Sequence, residues 1–362
     1  MSPSLSTLFA ESLKVGCLGF GGPAGQIALM HRVFVDERKW IDDDRFQHML
    51  AFCMLLPGPE AQQLATYIGW RLRGWAGALI AGWMFVLPGA LVVLALSWLY
   101  VHYGEVPVVA AAFDGIKCAV VALVAEALFK VGKRALKTGA AFWIAIAAFI
   151  ALVLSAPFPS VIIVAALIGA FSPFPLVGKG GDGGTGGSLS AKITVVTPTP
   201  NPSLQGGGAQ AVLWLTLWLA PLALIALTLG TDHVLFQIAL VFSILACVTF
   251  GGAYALLAYL TTEAATRGWL TTEQMIDGLG LAETTPGPLI LVNEFVGYLA
   301  GHHAGDLALA GAAIALWCTF APSFVWIFAG APYAERLQHN PRAAGALAAI
   351  TAAVLGVIAK LG

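Results

Sequence analysis

Two Pro-Gly-Pro motifs stand inside apolar segments of this chain, where helix-forming residues would be expected. The first is Pro57-Gly58-Pro59 and the second is Pro286-Gly287-Pro288. Proline lacks a backbone N–H and clashes with the preceding turn, so a helix must end at each motif and can begin again only after it. In lipid, the backbone groups freed by such a break are tolerated only inside protein or beside a cavity that holds water or a solute.

Polar side chains stand beside both breaks. A single motif of this kind would be interpreted as a kink that shapes packing. Two copies with carboxylates and amides beside them favour a site for a solute. The flanking residues are Glu60, Gln62 and Gln63 in the first copy, and Glu283, Thr284, Thr285, Asn293 and Glu294 in the second.

The composition defines the class of protein that must position these breaks. The 362 residues are 59% hydrophobic and 10% charged, whereas soluble domains are about 25% charged. We therefore expect an all-α polytopic membrane protein. The first apolar run carries Glu11 and Lys14 and no cleavage site follows it, so no cleaved signal peptide is expected.

Several function classes are excluded by the same counts. A net charge of -1 argues against a nucleic-acid partner. The five cysteines are far apart in apolar segments and show neither a disulfide framework nor a metal-ligand spacing. Because no nucleophile–base pair or phosphate loop is visible either, we predict no enzyme, no metal and no cofactor.

Landmarks of the first part of the chain return about 230 residues later. Such a fixed offset indicates an internal duplication, as in many transporters. We predict an N-terminal half over 1–172, a flexible Gly/Ser/Pro-rich linker over 173–210 and a C-terminal half over 211–362. The paired landmarks are Phe20-Gly21-Gly22 with Phe250-Gly251-Gly252, Trp40 with Trp269, and the two Pro-Gly-Pro motifs.

The basic residues predict how the halves are oriented. If each broken segment is a re-entrant hairpin, the loop 32–45 lies on the same side as Arg71 and Arg73, and the positive-inside rule makes that side cytoplasmic. Three crossings between the halves then invert the second copy and place Arg267 outside. If only one broken segment of each half crosses, the repeats are parallel instead. We expect inverted repeats with broken or re-entrant helices at the Gly-Gly and Pro-Gly-Pro motifs.

At these motifs the sequence resembles the chromate ion transporter family in its long form of two homologous halves. The resemblance rests on Phe20-Gly21-Gly22-Pro23 with Gln26, on the run 57–70, and on Phe250-Gly251-Gly252 with the second Pro-Gly-Pro. Ala253 stands where Pro23 would be repeated. The resemblance implies a multi-pass carrier of the bacterial inner membrane that exports chromate, with sulfate as a related anion.

Chromate and sulfate are tetrahedral oxyanions, mostly doubly charged near neutral pH. Helix amino termini offer such ions free N–H groups and a partial positive charge. The predicted helix starts at Pro23, Pro59 and Pro288 would supply them, and neighbouring glycines and amides would add close contacts. The predicted binding residues are Lys14, Gly21, Gly22, Pro23, Gln26, Pro57, Gly58, Pro59, Glu60, Gln62, Gln63, Gly251, Gly252, Thr284, Thr285, Pro286, Gly287, Pro288 and Asn293.

The charged residues near the breaks allow more than one role. Lys14 could add positive potential to the anion, or it could only neutralise Glu11 one turn earlier. Glu60 directly follows Pro59, where a carboxylate favours a helix start. The three carboxyls Glu60, Glu283 and Glu294 are also candidates for coupling protons to transport.

Other functions fit the same pattern. A sulfate or related oxyanion permease would use the same donors, and duplicated half-helices also suit an anion channel. The sequence predicts chromate, with sulfate as a further candidate, and the lipid bilayer as partners. It leaves a homodimer open.

Overall fold

The computed structural model describes residues 3–104, 139–154, 158–171, 207–249 and 253–334, together with residues 106, 107, 111, 115, 156, 342, 345, 346, 348–350, 352 and 353. Within these ranges every regular element is helical. The fold class predicted from the sequence is therefore confirmed for the described part of the chain. The tract 172–206, most of the predicted linker, and the basic cluster 130–137 lie outside it.

The first half contains four helices and a π-helical turn. They are α1 (Leu5–Leu18), α2 (Gly22–His31), the π turn (Arg32–Glu37), α3 (Asp43–Cys53) and α4 (Glu60–Tyr103). Helix α4 reverses direction at Arg73 and Gly74, where the Gly74 φ is 64° and the backbone is not helical. Within the described ranges, three helices follow before the second copy: α5 (Gly139–Val153), α6 (Phe158–Phe171) and α7 (Gly207–Thr228). Helix α7 begins four residues inside the predicted linker.

The second half repeats this order. Its helices are α8 (Val234–Val248), α9 (Ala253–Thr266), α10 (Thr272–Thr284), a 3-10 turn (Leu289–Leu291), α11 (Val292–His303), α12 (Ala308–Gly330) and a final 3-10 turn (Ala331–Tyr333). Helices α8 to α10 correspond to α1 to α3. Helices α11 and α12 correspond to α4 before and after its reversal.

Helices α3 and α10 begin with matching caps. The Asp42 side chain accepts a hydrogen bond from the Arg45 N–H at 2.9 Å. Thr271 and Gln274 form a capping box at the corresponding start of α10. Both caps satisfy backbone donors that a helix start leaves unpaired. Helices α3 and α10, which lead to the two Pro-Gly-Pro motifs, therefore each begin at a defined residue.

The helices beside the breaks are too short to cross a bilayer. A crossing helix needs about 20 residues, whereas α1 has 14, α2 has 10 and α3 has 11. Contacts show that they pair as hairpins. The rings of Phe52 and Tyr67, on either side of the first Pro-Gly-Pro, lie 5.6 Å apart. The broken segments are therefore re-entrant, with their tips inside the molecule. Among the described helices, α4, α7 and α12 are long and apolar enough to span a membrane.

In each half, a pair of glycines allows the backbones of two consecutive helical segments to pack closely. A Cβ added to Gly69 would lie 2.1 Å from the Gly77 carbonyl oxygen, on the other side of the reversal in α4. In the second half, a Cβ added to Gly297 would lie 2.5 Å from the Gly311 carbonyl oxygen. Small residues allow such close helix contacts in membranes.

The two halves are inverted relative to each other. Helix α4 leaves the base of the first hairpins at Gly74 and passes the second Pro-Gly-Pro at Gly89. Near its far end, the Tyr100 hydroxyl donates to Asp277 of α10 at 2.8 Å. The second-half hairpins therefore enter from the face opposite to the first-half hairpins. Likewise, Gly330 at the far end of α12 lies against the Phe52 ring.

This topology predicts the labelling of three exposed arginine positions. Cysteine introduced at Arg38 or Arg73 should react with an impermeant maleimide from one face of the membrane, and cysteine at Arg267 from the other. The native cysteines are first replaced, because Cys17 is exposed. If positions 38 and 73 reacted from opposite faces, the re-entrant hairpins would be disproved.

Candidate functional site

The tips of the re-entrant hairpins meet through two reciprocal hydrogen bonds. The Gly58 N–H of the first Pro-Gly-Pro donates to the Thr249 carbonyl at 2.7 Å. The Gly287 N–H of the second motif donates to the Gly19 carbonyl at 3.0 Å. Gly19 and Thr249 each precede a Phe-Gly-Gly landmark. The two halves thus exchange the same contact, and it lies at the centre of the molecule.

The glycines of both motifs are needed for this junction. Gly58 has φ 109° and Gly287 has φ 97°, values that residues with a Cβ rarely adopt. A Cβ on Gly287 would lie 3.2 Å from the Gly89 Cα, and a Cβ on Gly58 would lie 3.0 Å from the Gln63 side-chain nitrogen. The sequence predicts that these glycines make close contacts with an anion. In the structure their N–H groups contact the other half instead.

Two of the predicted amides hold the tips in place. The Gln26 Nε2 donates to the Gly287 carbonyl at 2.6 Å and to the Gly19 carbonyl at 3.3 Å. The Gln63 Nε2 donates to the Pro57 carbonyl at 2.6 Å. Their amide donors are therefore used by the protein, while each side-chain oxygen has no partner.

Gln62 differs from these two amides. It is fully buried in the first turn of α4, and both its amide nitrogen and its amide oxygen lack a hydrogen-bond partner. Leaving a buried polar group unpaired costs about 1–3 kcal/mol. An unpaired buried amide at the start of a half-helix is expected for a side chain that forms hydrogen bonds with a ligand.

Ser323 of α12 is a polar residue near the first tip that is not among the residues predicted from the sequence. Its hydroxyl is buried without a partner and lies 3.7 Å from the position of a Cβ on Gly58. Pro322-Ser323 corresponds to Pro88-Gly89, so Ser323 faces the first tip as Gly89 faces the second. Pairing these two dipeptides in the sequence could have revealed it.

The Gly-Gly break of the first half opens onto free space. Gly21 and Gly22 have φ values of 84° and 68°, and a Cβ added to either would meet nothing within 4 Å. Pro23 stands in the first turn of α2, whose start has no side-chain cap. The backbone at this helix start is therefore not covered by the described residues. Gly251 and Gly252, the corresponding predicted residues, lie outside the described part of the chain.

The polar residues predicted to bind the anion or a proton in the second half differ in their hydrogen-bond partners and in their burial. The Thr284 hydroxyl donates to the Gly280 carbonyl at 2.8 Å, and the Thr285 hydroxyl donates to the Ala282 carbonyl at 3.4 Å. Asn293 is buried and donates to the Thr319 hydroxyl of α12 at 3.0 Å. Glu294 is buried beside it, whereas Glu283 is half-buried at the end of α10.

Lys14 lies away from the tips. Its Nζ is 3.4 Å from the Glu37 carboxylate in the π turn, and both side chains are nearly half exposed. Glu11, the partner considered in the sequence analysis, is buried and pairs with Arg38 instead. Lys14 therefore neutralises a carboxylate at the hairpin base, and the structure does not bring it to the predicted binding residues.

The electrostatics at the centre depend on helix ends. The N-cap residues of α2, of α4 and of the 3-10 turn that leads into α11 provide no side-chain cap, and Glu60 occupies the first position of α4. The carbonyls of Gly19 and Thr249, which end α1 and α8, are already paired with N–H groups. The junction thus consumes acceptors at helix ends and leaves helix starts uncapped, which favours a negatively charged ligand.

Inverted halves, re-entrant half-helices and a polar site at their crossing are typical of membrane transporters. Within the described residues, no group of His, Cys, Asp and Glu could hold a metal ion. The sequence model of the family described as Chromate transporter matches residues 6–170 and 236–362. The chain belongs to this family.

Named relatives match almost the whole chain. A chromate transport protein of Pseudomonas aeruginosa is 33% identical over 98% of this chain and 79% of its own length. A chromate transport protein of Cupriavidus metallidurans is 31% identical over 98% of the chain and 81% of its own length. An uncharacterized transporter of Methanocaldococcus jannaschii is 29% identical over 94% and 79%. No solved structure matches.

Proposed function

We propose that this protein is a secondary carrier of the bacterial inner membrane that exports chromate from the cytoplasm and thereby confers chromate resistance. The observation that carries the proposal is the meeting of uncapped half-helix starts from both faces, with the unpartnered amide of Gln62 at one of them. Membership of the Chromate transporter family and the names of two similar proteins support chromate as the anion.

The membrane potential favours this direction. It is worth about 2.3 kcal/mol per elementary charge per 100 mV, so a dianion leaving an inside-negative cell gains about 4.6 kcal/mol at that potential. Export therefore needs no obligatory proton exchange. Sulfate has the same shape and charge, so the same donors would also accept it as a competing ion.

Gln62 provides the direct test. We expect Gln62→Ala to raise the chromate KM roughly 10- to 100-fold, because one hydrogen bond to a charged partner contributes about 1.5–3 kcal/mol. Chromate flux is measured in proteoliposomes at a fixed potential. The matched control is Gln47→Ala, an exposed amide at the hairpin base, which should leave the KM unchanged.

Three outcomes separate the proposal from its alternatives. Absence of chromate flux in the unmodified protein would reject it. Flux that is fast for sulfate and absent for chromate would favour a sulfate permease. Flux without counterflow exchange would favour an anion channel. An unchanged KM in Gln62→Ala would remove Gln62 from the site.

A further inference from the structure

Glu294 is a carboxyl group deep inside the molecule that has no role in the contacts described above. It lies in the first turn of α11 and its residue is 3% exposed. Its Oε2 atom is buried without a hydrogen-bond partner. The adjacent residue, Asn293, binds Thr319 of α12, which fixes this turn against the helix that carries Ser323.

The first half has a different residue at the corresponding place. The run Thr66-Tyr67-Ile68-Gly69-Trp70 aligns with Glu294-Phe295-Val296-Gly297-Tyr298, because Gly69 and Gly297 make equivalent backbone contacts. The Thr66 hydroxyl donates to the Gln62 carbonyl at 2.8 Å. The pseudo-symmetric position is thus neutral and satisfied in one half, and ionisable and unsatisfied in the other.

Of helices α4, α8, α10 and α12, which pack against α11, only α4 carries Lys or Arg, at Arg71 and Arg73 beside its reversal. Helices α8 and α12 contain no Lys, Arg, Asp or Glu. The Asp277 carboxylate on α10 accepts a hydrogen bond from Tyr100 of α4. The other titratable groups on these elements and on α11 are Glu60, Tyr67, Arg71, Arg73, His102 and Tyr103 on α4, Glu273 and Glu283 on α10, Cys247 on α8, Cys318 on α12, and Tyr298, His302 and His303 on α11.

An isolated carboxylate in such surroundings takes up a proton, because burying the unpaired charge costs far more than binding the proton. A neutral Glu294 carboxyl also does not repel a dianion that binds at the nearby helix starts. Conversely, a charged Glu294 would repel the dianion. Binding of the proton and binding of the anion therefore favour each other.

We propose that Glu294 is a proton-binding site, and that each doubly charged oxyanion is carried together with one proton held on this carboxyl. This inference rests on the proposed function, oxyanion transport. The proton comes from water on the side where the anion enters and returns to water on the side where it leaves. The net charge moved per anion is then -1 instead of -2, which halves the electrical drive on export and makes flux depend on the pH gradient.

Reversal potentials in proteoliposomes test the proposal. With a fixed chromate gradient, no pH gradient and a potassium-set potential, the unmodified protein should reverse at twice the potential found for Glu294→Gln. A pH gradient should shift the reversal potential of the unmodified protein and leave that of Glu294→Gln unchanged. Because both proteins carry the same chromate, protonation of the ion itself cancels in the comparison. Glu273→Gln, at an exposed carboxyl on α10, should behave as the unmodified protein does.

If net flux through Glu294→Gln is too slow to measure, the exchange of external for internal chromate is measured instead. A permanently neutral side chain need not release a proton during exchange, so exchange should persist in Glu294→Gln. Equal reversal potentials in the two proteins, or loss of exchange with unchanged thermal stability, would overturn the inference. Either result would leave chromate transport by the unmodified protein intact. Absence of chromate flux in the unmodified protein would instead reject the proposed function.

Discussion

Replacement of Pro57-Gly58-Pro59 by three alanines should abolish chromate transport while the protein still inserts into the membrane. The substitution allows α3 to continue into α4, because the residues that stop the helix are gone. The tip then loses the Gly58 N–H bond to Thr249, and the start of α4 with Gln62 is no longer a helix end. We expect at least a hundredfold loss of flux, about 2.7 kcal/mol in the transport barrier, measured in proteoliposomes of equal protein content.

A control variant distinguishes the effect of losing the first tip from the effect of backbone strain alone on the flux. Gly305 in the turn before α12 has φ 126°, and a Cβ there would meet nothing within 4 Å. Gly305→Ala introduces comparable strain away from the junction and should retain most of the flux. Alanines at Pro286-Gly287-Pro288 should abolish transport as well, since the second tip makes the reciprocal bond. Full flux in either triple variant would show that the breaks only shape packing.

Gly69→Leu should cause the largest loss of stability. Even a Cβ at this position would lie 2.1 Å from the Gly77 carbonyl oxygen, so backbone must move before any larger side chain can fit. Overpacking costs about 1–3 kcal/mol where side chains can adjust, and a backbone clash exceeds that range. We expect a fall of at least about 4 °C in the unfolding temperature in detergent, because an unfolding entropy of about 2.1 cal/mol/K per residue makes each kcal/mol correspond to about 1.3 °C for a chain of 362 residues.

Gly208→Ala is the matched control for this experiment. Gly208 is exposed near the start of α7, and a Cβ there would meet nothing within 4 Å. Alanine favours a helix over glycine by up to about 1 kcal/mol, so the unfolding temperature should stay equal or rise. An unfolding temperature for Gly69→Leu equal to that of the unmodified protein would mean that the helices of the first half do not cross at these glycines.

The breaks and the duplication could be predicted because proline and glycine act locally. A Pro-Gly-Pro motif ends a helix whatever surrounds it, and its repetition after about 230 residues needs only the sequence. The inversion followed from the basic loops and the number of crossings. The contacts of Tyr100 with Asp277 and of Gly330 with Phe52 are consistent with it.

The roles of the amides could not be predicted in the same way. Gln26 binds Gly287, 261 positions away, and such a pairing leaves no local pattern in the sequence. Ser323 was missed because the offset between the halves changes after the tips: α4 reverses within two residues at Arg73 and Gly74, whereas a longer turn joins α11 to α12. Gln62 and Gln63 are neighbours, but Gln63 binds the Pro57 carbonyl whereas the Gln62 amide has no hydrogen-bond partner, because the two side chains leave the helix in different directions.

The reciprocal bonds at the tips also bear on how the molecule would alternate between the two faces of the membrane. Gly58 with Thr249 and Gly287 with Gly19 form two equivalent hydrogen-bonded contacts between the halves. If the halves exchanged conformations, a state open to one face would become a state open to the other, with the same number of hydrogen bonds made and broken. Most of the free-energy difference between the two states would then come from positions where the halves differ, such as Glu60 with Leu289 directly after the tips and Glu294 with Thr66 further along the same helices.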